Sequence, residues 1–266
     1  MSNLIASGIN LSAFGVTRRP LLAQARETKE GEVEIRLATA PGFDARAKLQ
    51  DTPDALFEGW ARCILDAPKP LAVDIALEFA PPKTAEFLWR FTQRDFDFAF
   101  FADAPLTDRV GEFGLRFRAW LAASAWRPGK DVYEASPRAT VDLMDFKGQY
   151  KEGKAHYGKG TWRADDKTKR ADKLVAHMLG ELGVNPGAGA DKVGSDEFDA
   201  IVCALTALGV AKNAPLVRGP ELATEVAARC ERRADMPPGR LKGTVPTYAA
   251  VLAAPYWESI ALVRGV

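Results

Sequence analysis

The pattern of hydrophobic and polar positions predicts a three-stranded antiparallel meander at the start of the chain. The first two strands are predicted at 4–10 and 21–26, which are mostly apolar. The third, at 32–39, alternates valine, isoleucine and leucine with charged residues, which is typical of a strand with one buried face. A Lys-Glu-Gly sequence at 29–31 supplies the turn before it.

After the meander, the pattern predicts helices that are separated by further strands. A helix is predicted from Pro53, because proline suits a first helical position and the apolar residues that follow form one stripe. Further helices are predicted within 83–126 and at 138–146, 167–182, 195–210 and 221–231. Further strands are predicted at 71–77, 131–133 and 257–263.

This succession of elements is that of an α/β protein with a ribonuclease-H-like fold. We expect a mixed five-stranded sheet, with three antiparallel strands and then parallel strands, flanked by helices and carrying helical additions. The whole chain, 1–266, would form a single domain with a helical insertion around 83–126 and a basic loop around 147–166. In that topology the first, fourth and fifth strands are adjacent and parallel, and ligands gather at their carboxyl ends.

An acidic residue interrupts the most apolar of the predicted strands. The run Leu-Ala-Val-Asp-Ile-Ala-Leu at 71–77 is typical of a strand that is buried on both faces. Because an unpaired buried charge costs several kcal/mol, Asp74 must be neutralised, hydrogen-bonded or held by a metal ion. The structural alternative is that Asp74 ends the strand and caps the following loop.

Other acidic residues lie at the ends of core elements. Glu134 follows the short strand at 131–133, and Asp196 and Asp199 open the helix at 195–210. Each has a structural interpretation, since a strand-end glutamate is often solvated and the first turn of any helix favours acids. With Asn10 and Asp74, however, they would converge at one edge of the sheet, and convergent acids bind divalent metal ions.

Composition narrows the class of protein further. The 266 residues are 47% hydrophobic, enough for one large core, and the net charge of +1 neither favours nor excludes nucleic acid. Three widely spaced cysteines argue for reduced thiols, and two histidines argue against a zinc site or a histidine-dependent triad. With no basic leader and no membrane-spanning run, we expect a cytoplasmic protein that does not bind membranes.

A basic stretch at 147–173 suggests a partner. It contains Lys154, Lys159 and Arg163, with aromatic residues such as Trp162 interleaved. Basic side chains neutralise phosphates, and aromatic rings stack on unpaired bases. A solvated linker followed by a charged helix surface would explain the composition equally well. Nucleic acid is therefore one candidate partner, while the pattern says nothing of protein partners or oligomeric state.

Three stretches resemble the family called domain of unknown function 429, described as predicted nucleases with a ribonuclease-H fold. The run at 71–77 is similar to its Ile-Asp-x-Pro-Leu strand, and Glu-Ala-Ser-Pro at 134–137 to its Glu-Val-His-Pro stretch. The segment 195–207 is similar to its Asp-x-x-Asp-Ala helix. Two positions depart from the family: Asn10 stands where an aspartate is usual, and Ser136 replaces the histidine.

The resemblance implies hydrolysis of phosphodiester bonds with two Mg²⁺ or Mn²⁺ ions about 4 Å apart. Asp74 would be the bridging ligand, Glu134 and Asp199 terminal ligands, and Asp196 an alternate ligand. Asn10 could coordinate a hard cation through its amide oxygen, but it brings no negative charge, so metal affinity should fall.

Two other classes of protein stay open. The first is a phosphotransferase of the actin-like ATPase superfamily, for which the segment 8–15, with a glycine at each end, would serve as a phosphate loop. The second is a protein that binds nucleic acid without cleaving it, in which Asn10 has disabled the chemistry.

Overall fold

A computed structural model of the chain describes residues 4–10, 21–29, 32–39, 61, 64–75, 77, 112–137, 184–185, 195–212, 216–218, 224, 228, 249–252 and 260–264. The strands in these stretches are β1 (Ile5–Asn10), β2 (Leu21–Glu27), β3 (Val33–Thr39), β4 (Leu71–Val73), β5 (Val132–Ala135), β6 (Val184–Asn185), β7 (Leu216–Arg218), β8 (Ala249–Leu252) and β9 (Ile260–Arg264). The helices are α1 (Glu112–Ala123) and α2 (Ser195–Ala211). None of the described helices is long and apolar enough to cross a membrane.

The strands form one mixed sheet in the order β6-β9-β3-β2-β1-β4-β5-β8-β7. Strands β1, β2 and β3 pair antiparallel in sequence order, which confirms the predicted meander. Strand β4 pairs parallel with β1, and β5 pairs parallel with β4, as predicted for the first, fourth and fifth strands. The sheet continues past these five, through β9 and β6 at one edge and through β8 and β7 at the other.

The two faces of the central strands differ in side-chain size. One face presents small residues, Ala6, Gly8, Ala23, Ala25 and Ala72, all of them buried. Small side chains allow a helix to lie close to a sheet, and α2 covers this face by contacting β1, β2 and β4. The opposite face carries larger apolar residues, which form a core with α1 and with the helical turn at 64–66: Ile9, Leu22, Ile64, Leu71, Val73, Phe117, Leu121, Trp126 and Val132.

Helix α2 is deeply buried along most of its length. Every residue from 200 to 210 is buried, as predicted from an apolar sequence with no polar stripe. Its one polar side chain in this range, that of Thr206, donates a hydrogen bond to the carbonyl oxygen of Val202 at 2.8 Å. Because that bond is satisfied within the helix, Thr206 can be buried without a partner elsewhere.

Two boundaries differ from the prediction and bear on the acidic residues. Strand β4 ends at Val73, so Asp74 follows the strand and does not lie within it. The predicted strand at 71–77 is too long, because Ile75 and Leu77 are buried without belonging to a strand. Strand β5 begins one residue later than predicted and ends at Ala135, so Glu134 lies within it.

The described residues cover the remaining predicted elements unevenly. Helix α1 lies in the predicted helical insertion, and β9 overlaps the predicted last strand. Residues 224 and 228 are helical, within the helix predicted at 221–231. The helices predicted at 138–146 and 167–182, and the basic loop, lie outside the described residues.

Candidate functional site

The carboxyl ends of β1, β4 and β5 lie side by side at one edge of the sheet. In the register of the three strands, Ile9 pairs with Val73, and Val73 pairs with Glu134. Asn10 is the last residue of β1, and Asp74 directly follows β4. The backbone positions of Asn10, Asp74 and Glu134 therefore lie next to one another at the ends of three neighbouring strands.

Gly8 allows α2 to approach the sheet at van der Waals distance from the β1 backbone. A Cβ atom on Gly8 would lie 2.5 Å from the carbonyl oxygen of Ala200 and would also collide with the backbone nitrogen of Ala204. Only glycine leaves room for a helix backbone this close to a strand. Gly8 is thus part of a helix-sheet contact inside β1. Residues 11–15 of the segment 8–15 lie outside the described residues, so the phosphotransferase interpretation stays a prediction.

The direction of α2 places its first turn at the acidic edge. The residue after the helix, Lys212, forms an ion pair with Glu27 at 2.6 Å, and the amide of Glu27 bonds to the carbonyl of Leu4 at the start of β1. Helix α2 therefore runs antiparallel to β1. Two strand residues and one helical turn both advance by about 5–7 Å. Since Gly8 faces the segment 200–204, Asn10 lies level with the turn before it.

Asp199 lies in that turn and is half-buried. It precedes Cys203 by four residues, so it shares a side of the helix with the residues that contact Gly8. Asp196 occupies the same side one turn earlier, by its spacing of three residues from Asp199. The side chains of Asn10 and Asp196 lie outside the described part of the chain. The backbone nevertheless places all of these positions at the end of β1.

The segment that follows β4 is irregular but anchored. The Asp74 amide donates a hydrogen bond to the carbonyl of Ile9 at 3.5 Å. Ile75 and Leu77 are buried in the core on the side of the sheet away from α2. Asp74, in contrast, is half-buried. The burial of Ile75 and Leu77 therefore fixes this segment to the core, while Asp74 stays at the edge of the sheet.

Glu134 lies on the face of the sheet that carries the large apolar core. Its side chain is fully buried, and it shares a face with Val132, on the side of the sheet opposite α2. Its Oε1 atom accepts a hydrogen bond from the backbone amide of Leu77. Glu134 thus contacts the far end of the segment that begins with Asp74.

Oxygen ligands dominate the acidic edge, and hard divalent cations such as Mg²⁺ and Mn²⁺ prefer them. The residue types at Asn10, Asp74 and Asp199 therefore fit such an ion. Among the described residues, no three histidine, cysteine, aspartate or glutamate side chains are grouped closely enough to hold a metal ion. The predicted ligand set of Asn10, Asp74, Glu134, Asp196 and Asp199 stays a prediction.

The predicted nucleic-acid-binding residues belong to the basic stretch. Lys154, Lys159, Trp162 and Arg163 all lie outside the described residues. The role of the basic stretch therefore stays a prediction from composition.

A charged cluster at the opposite end of β4 and β5 was not predicted. The Lys69 ammonium lies 3.2 Å from Asp131 and 4.4 Å from the centre of the Trp126 ring. Burial works to raise the pKa of Asp131, but the Arg127 backbone amide and the Lys69 charge outweigh burial, and the pKa is lowered. The cluster joins the loops that precede the two strands, so it supports the fold at a distance from the acidic edge.

Comparison of the chain with protein-family models, with curated proteins and with solved structures finds no match. The resemblance to domain of unknown function 429 therefore rests on the three short stretches alone.

Proposed function

We propose that the chain is a metal-dependent nuclease with a ribonuclease-H-like fold, which hydrolyses phosphodiester bonds with two Mg²⁺ or Mn²⁺ ions. The order β3-β2-β1-β4-β5, with three antiparallel strands followed by parallel ones, supports the fold. Helix α2, which lies antiparallel to β1 on one face of the sheet, agrees with a ribonuclease-H-like fold.

One observation carries the functional part of the proposal. Asn10 ends β1, Asp74 directly follows the adjacent parallel strand β4, and the first turns of α2, with Asp196 and Asp199, lie level with them. Acidic residues with purely structural roles would be expected at strand ends and helix starts throughout the fold, and not at one place. Here separate stretches of sequence bring oxygen-bearing residues to a single edge, where ligands of α/β sheets bind.

The residues at this edge would act by holding and orienting the ions. Asp74, on an anchored segment, and Asp199, on the helix, would each hold the ions through a carboxylate. Asn10 would contribute a neutral oxygen, which binds a cation more weakly than a carboxylate. Once bound, such ions activate water and stabilise the leaving oxygen of a phosphodiester.

A second candidate function is nucleic-acid binding without cleavage. Two observations favour it: Asn10 lacks the charge of an aspartate, and Glu134 is engaged with the Leu77 backbone on the far face of the sheet. A site that keeps fewer anionic ligands would bind metal weakly, while the basic stretch could still bind phosphates.

Thermal melting with Mn²⁺, paired with an oligonucleotide cleavage assay, separates these candidates. At a hundredfold excess over Kd, bound Mn²⁺ should stabilise the protein by about 2.7 kcal/mol, which is roughly 5–10 °C in Tm for a chain of this size. Asp74→Asn should abolish both the shift and the cleavage. Asp66→Asn, at an exposed position outside the site, is the matched control and should change neither.

Three outcomes decide between the proposals. A metal response with cleavage that depends on Asp74 supports the nuclease. Oligonucleotide binding without a metal response or cleavage supports the second candidate. A metal response that survives in Asp74→Asn contradicts the placement of the site.

A further inference from the structure

The fully buried carboxylate of Glu134 is the starting point, because its position does not suit direct contact with ions at the α2 side of the sheet. It pairs with Val73 in the register of β4 and β5, and it lies on the face with Val132. That face is filled by the large apolar core. A carboxylate buried here needs a specific hydrogen-bonding role, since burying it without one would cost several kcal/mol.

The hydrogen bond that Glu134 accepts indicates what this role is. Oε1 of Glu134 accepts from the amide of Leu77, three residues after Asp74. At the other end of this short segment, the amide of Asp74 donates to the carbonyl of Ile9. The segment is therefore fixed at both ends, to β1 at Asp74 and to β5 at Leu77.

This fixation matters because β4 ends at Val73, before the segment begins. Residues beyond a strand end have no ladder of backbone hydrogen bonds to hold them, so their amides need other partners. The burial of Ile75 and Leu77 restrains the side chains, and the bond from Leu77 to Glu134 restrains the backbone.

We infer that Glu134 is a positioning residue that holds the segment 74–77 so that Asp74 presents its carboxylate at the edge of the sheet. For its effect on metal binding, this inference rests on the proposed function. It gives Glu134 a different role from the terminal ligand implied by the family resemblance. Residues that orient a metal ligand typically contribute 10–100-fold to metal affinity.

The test compares two substitutions of Glu134 whose side chains are similar in length to glutamate. Glu134→Gln keeps an oxygen that can accept from Leu77, whereas Glu134→Met fills the same space without a strong acceptor. A positioning role predicts that the glutamine variant keeps the Mn²⁺ Kd within about threefold of the parent, and that the methionine variant weakens it about tenfold or more. A direct ligand predicts a comparable loss in both variants, since an amide lacks the carboxylate charge.

Hydrogen exchange in metal-free protein provides a readout that does not depend on the proposed function. The Leu77 amide should exchange faster in Glu134→Met than in the parent, and at the parental rate in Glu134→Gln. Val132→Ala is the matched control, because it removes buried volume from the same strand and face without touching the Leu77 bond. It should leave the Leu77 amide protected relative to its neighbours.

Each result has one interpretation. If the parent neither binds Mn²⁺ nor cleaves oligonucleotides, the proposed function fails, and exchange at Leu77 alone decides whether Glu134 fixes the segment. Equal loss of Mn²⁺ affinity in Glu134→Gln and Glu134→Met overturns the inference, as does unchanged exchange at Leu77 in Glu134→Met. If the methionine variant does not fold, retained Mn²⁺ affinity in Glu134→Gln supports the inference, and its loss overturns it.

Discussion

Gly8→Ala tests whether α2 docks on β1 as closely as the structure indicates. The added Cβ would lie 2.5 Å from the carbonyl oxygen of Ala200, whereas ordinary contacts begin at 3.4 Å. The helix or the strand must therefore shift by at least about 0.9 Å at this point, because the backbone nitrogen of Ala204 would lie closer to the Cβ than this oxygen does. Because the colliding atoms belong to the α2 backbone, no side-chain rotation can relieve the contact.

The loss of folding free energy in Gly8→Ala depends on which atoms collide. Overpacking a core typically costs 1–3 kcal/mol, and a clash with helix backbone belongs at the upper end, at about 3 kcal/mol. For a chain of this size, that corresponds to a decrease in Tm of roughly 6–12 °C. Trimming a neighbouring side chain, as in Gly8→Ala combined with Cys203→Ala, should not restore stability, because the clash does not involve that side chain.

Urea denaturation and thermal melting of the parent, Gly8→Ala and the double variant measure these effects. Gly129→Ala provides a comparison of a different kind, since Gly129 is exposed and has a φ of 75°, so its cost of about 1–2 kcal/mol comes from conformation and not from packing. If the stability of Gly8→Ala equals that of the parent, or if Cys203→Ala rescues it, the close approach of α2 to β1 is wrong.

Three further predictions concern charged residues. Because the pKa of Asp131 is lowered in the folded protein, the unfolded chain binds a proton at Asp131 more readily than the folded chain does. The Asp131 carboxylate therefore stabilises the fold above its ordinary pKa of 3.8, and this contribution is lost as the pH falls below that value. Denaturation measured at several pH values should show a weaker acid dependence in Asp131→Asn than in the parent. Asn10→Asp should melt at a lower temperature in chelator, yet gain more from Mn²⁺ than the parent, and an equal Mn²⁺ response in both would remove Asn10 from the site. Replacing Lys154, Lys159 and Arg163 together with alanine should weaken oligonucleotide binding and reduce the slope of log K against log salt by about 0.7 for each lost contact to a single strand; unchanged binding would assign the basic stretch to solubility.

The elements predicted most accurately are those whose sequence pattern reflects burial directly. Strand β3 alternates apolar and charged residues, and α2 is apolar on all sides, so their predicted bounds differ from those observed by only one residue. Strand β4 was predicted too long for the same reason. Ile75 and Leu77 are buried, but hydrophobicity reports burial and not backbone pairing.

The parts that sequence could not predict depend on register and on close contacts between distant segments. The face that Glu134 occupies is set by its pairing with Val73, which no pattern within either strand specifies. The role of Gly8 depends on a helix about 200 residues later in the chain. Strand β6 has two residues and β7 has three, too few for an alternating pattern to be recognised.

Asn10 links the stability of the fold to the strength of the proposed metal site. Asp74 and Asp199 are both half-buried, and the backbone places them at the edge where β1 ends. A further carboxylate at Asn10 would add like-charge repulsion there whenever no cation is bound, and it would raise the pKa of one of the acids. An asparagine keeps the shape and one oxygen of aspartate but adds no charge. At the proposed site, Asn10 in place of an aspartate would therefore favour the metal-free protein and would lower the affinity for a cation.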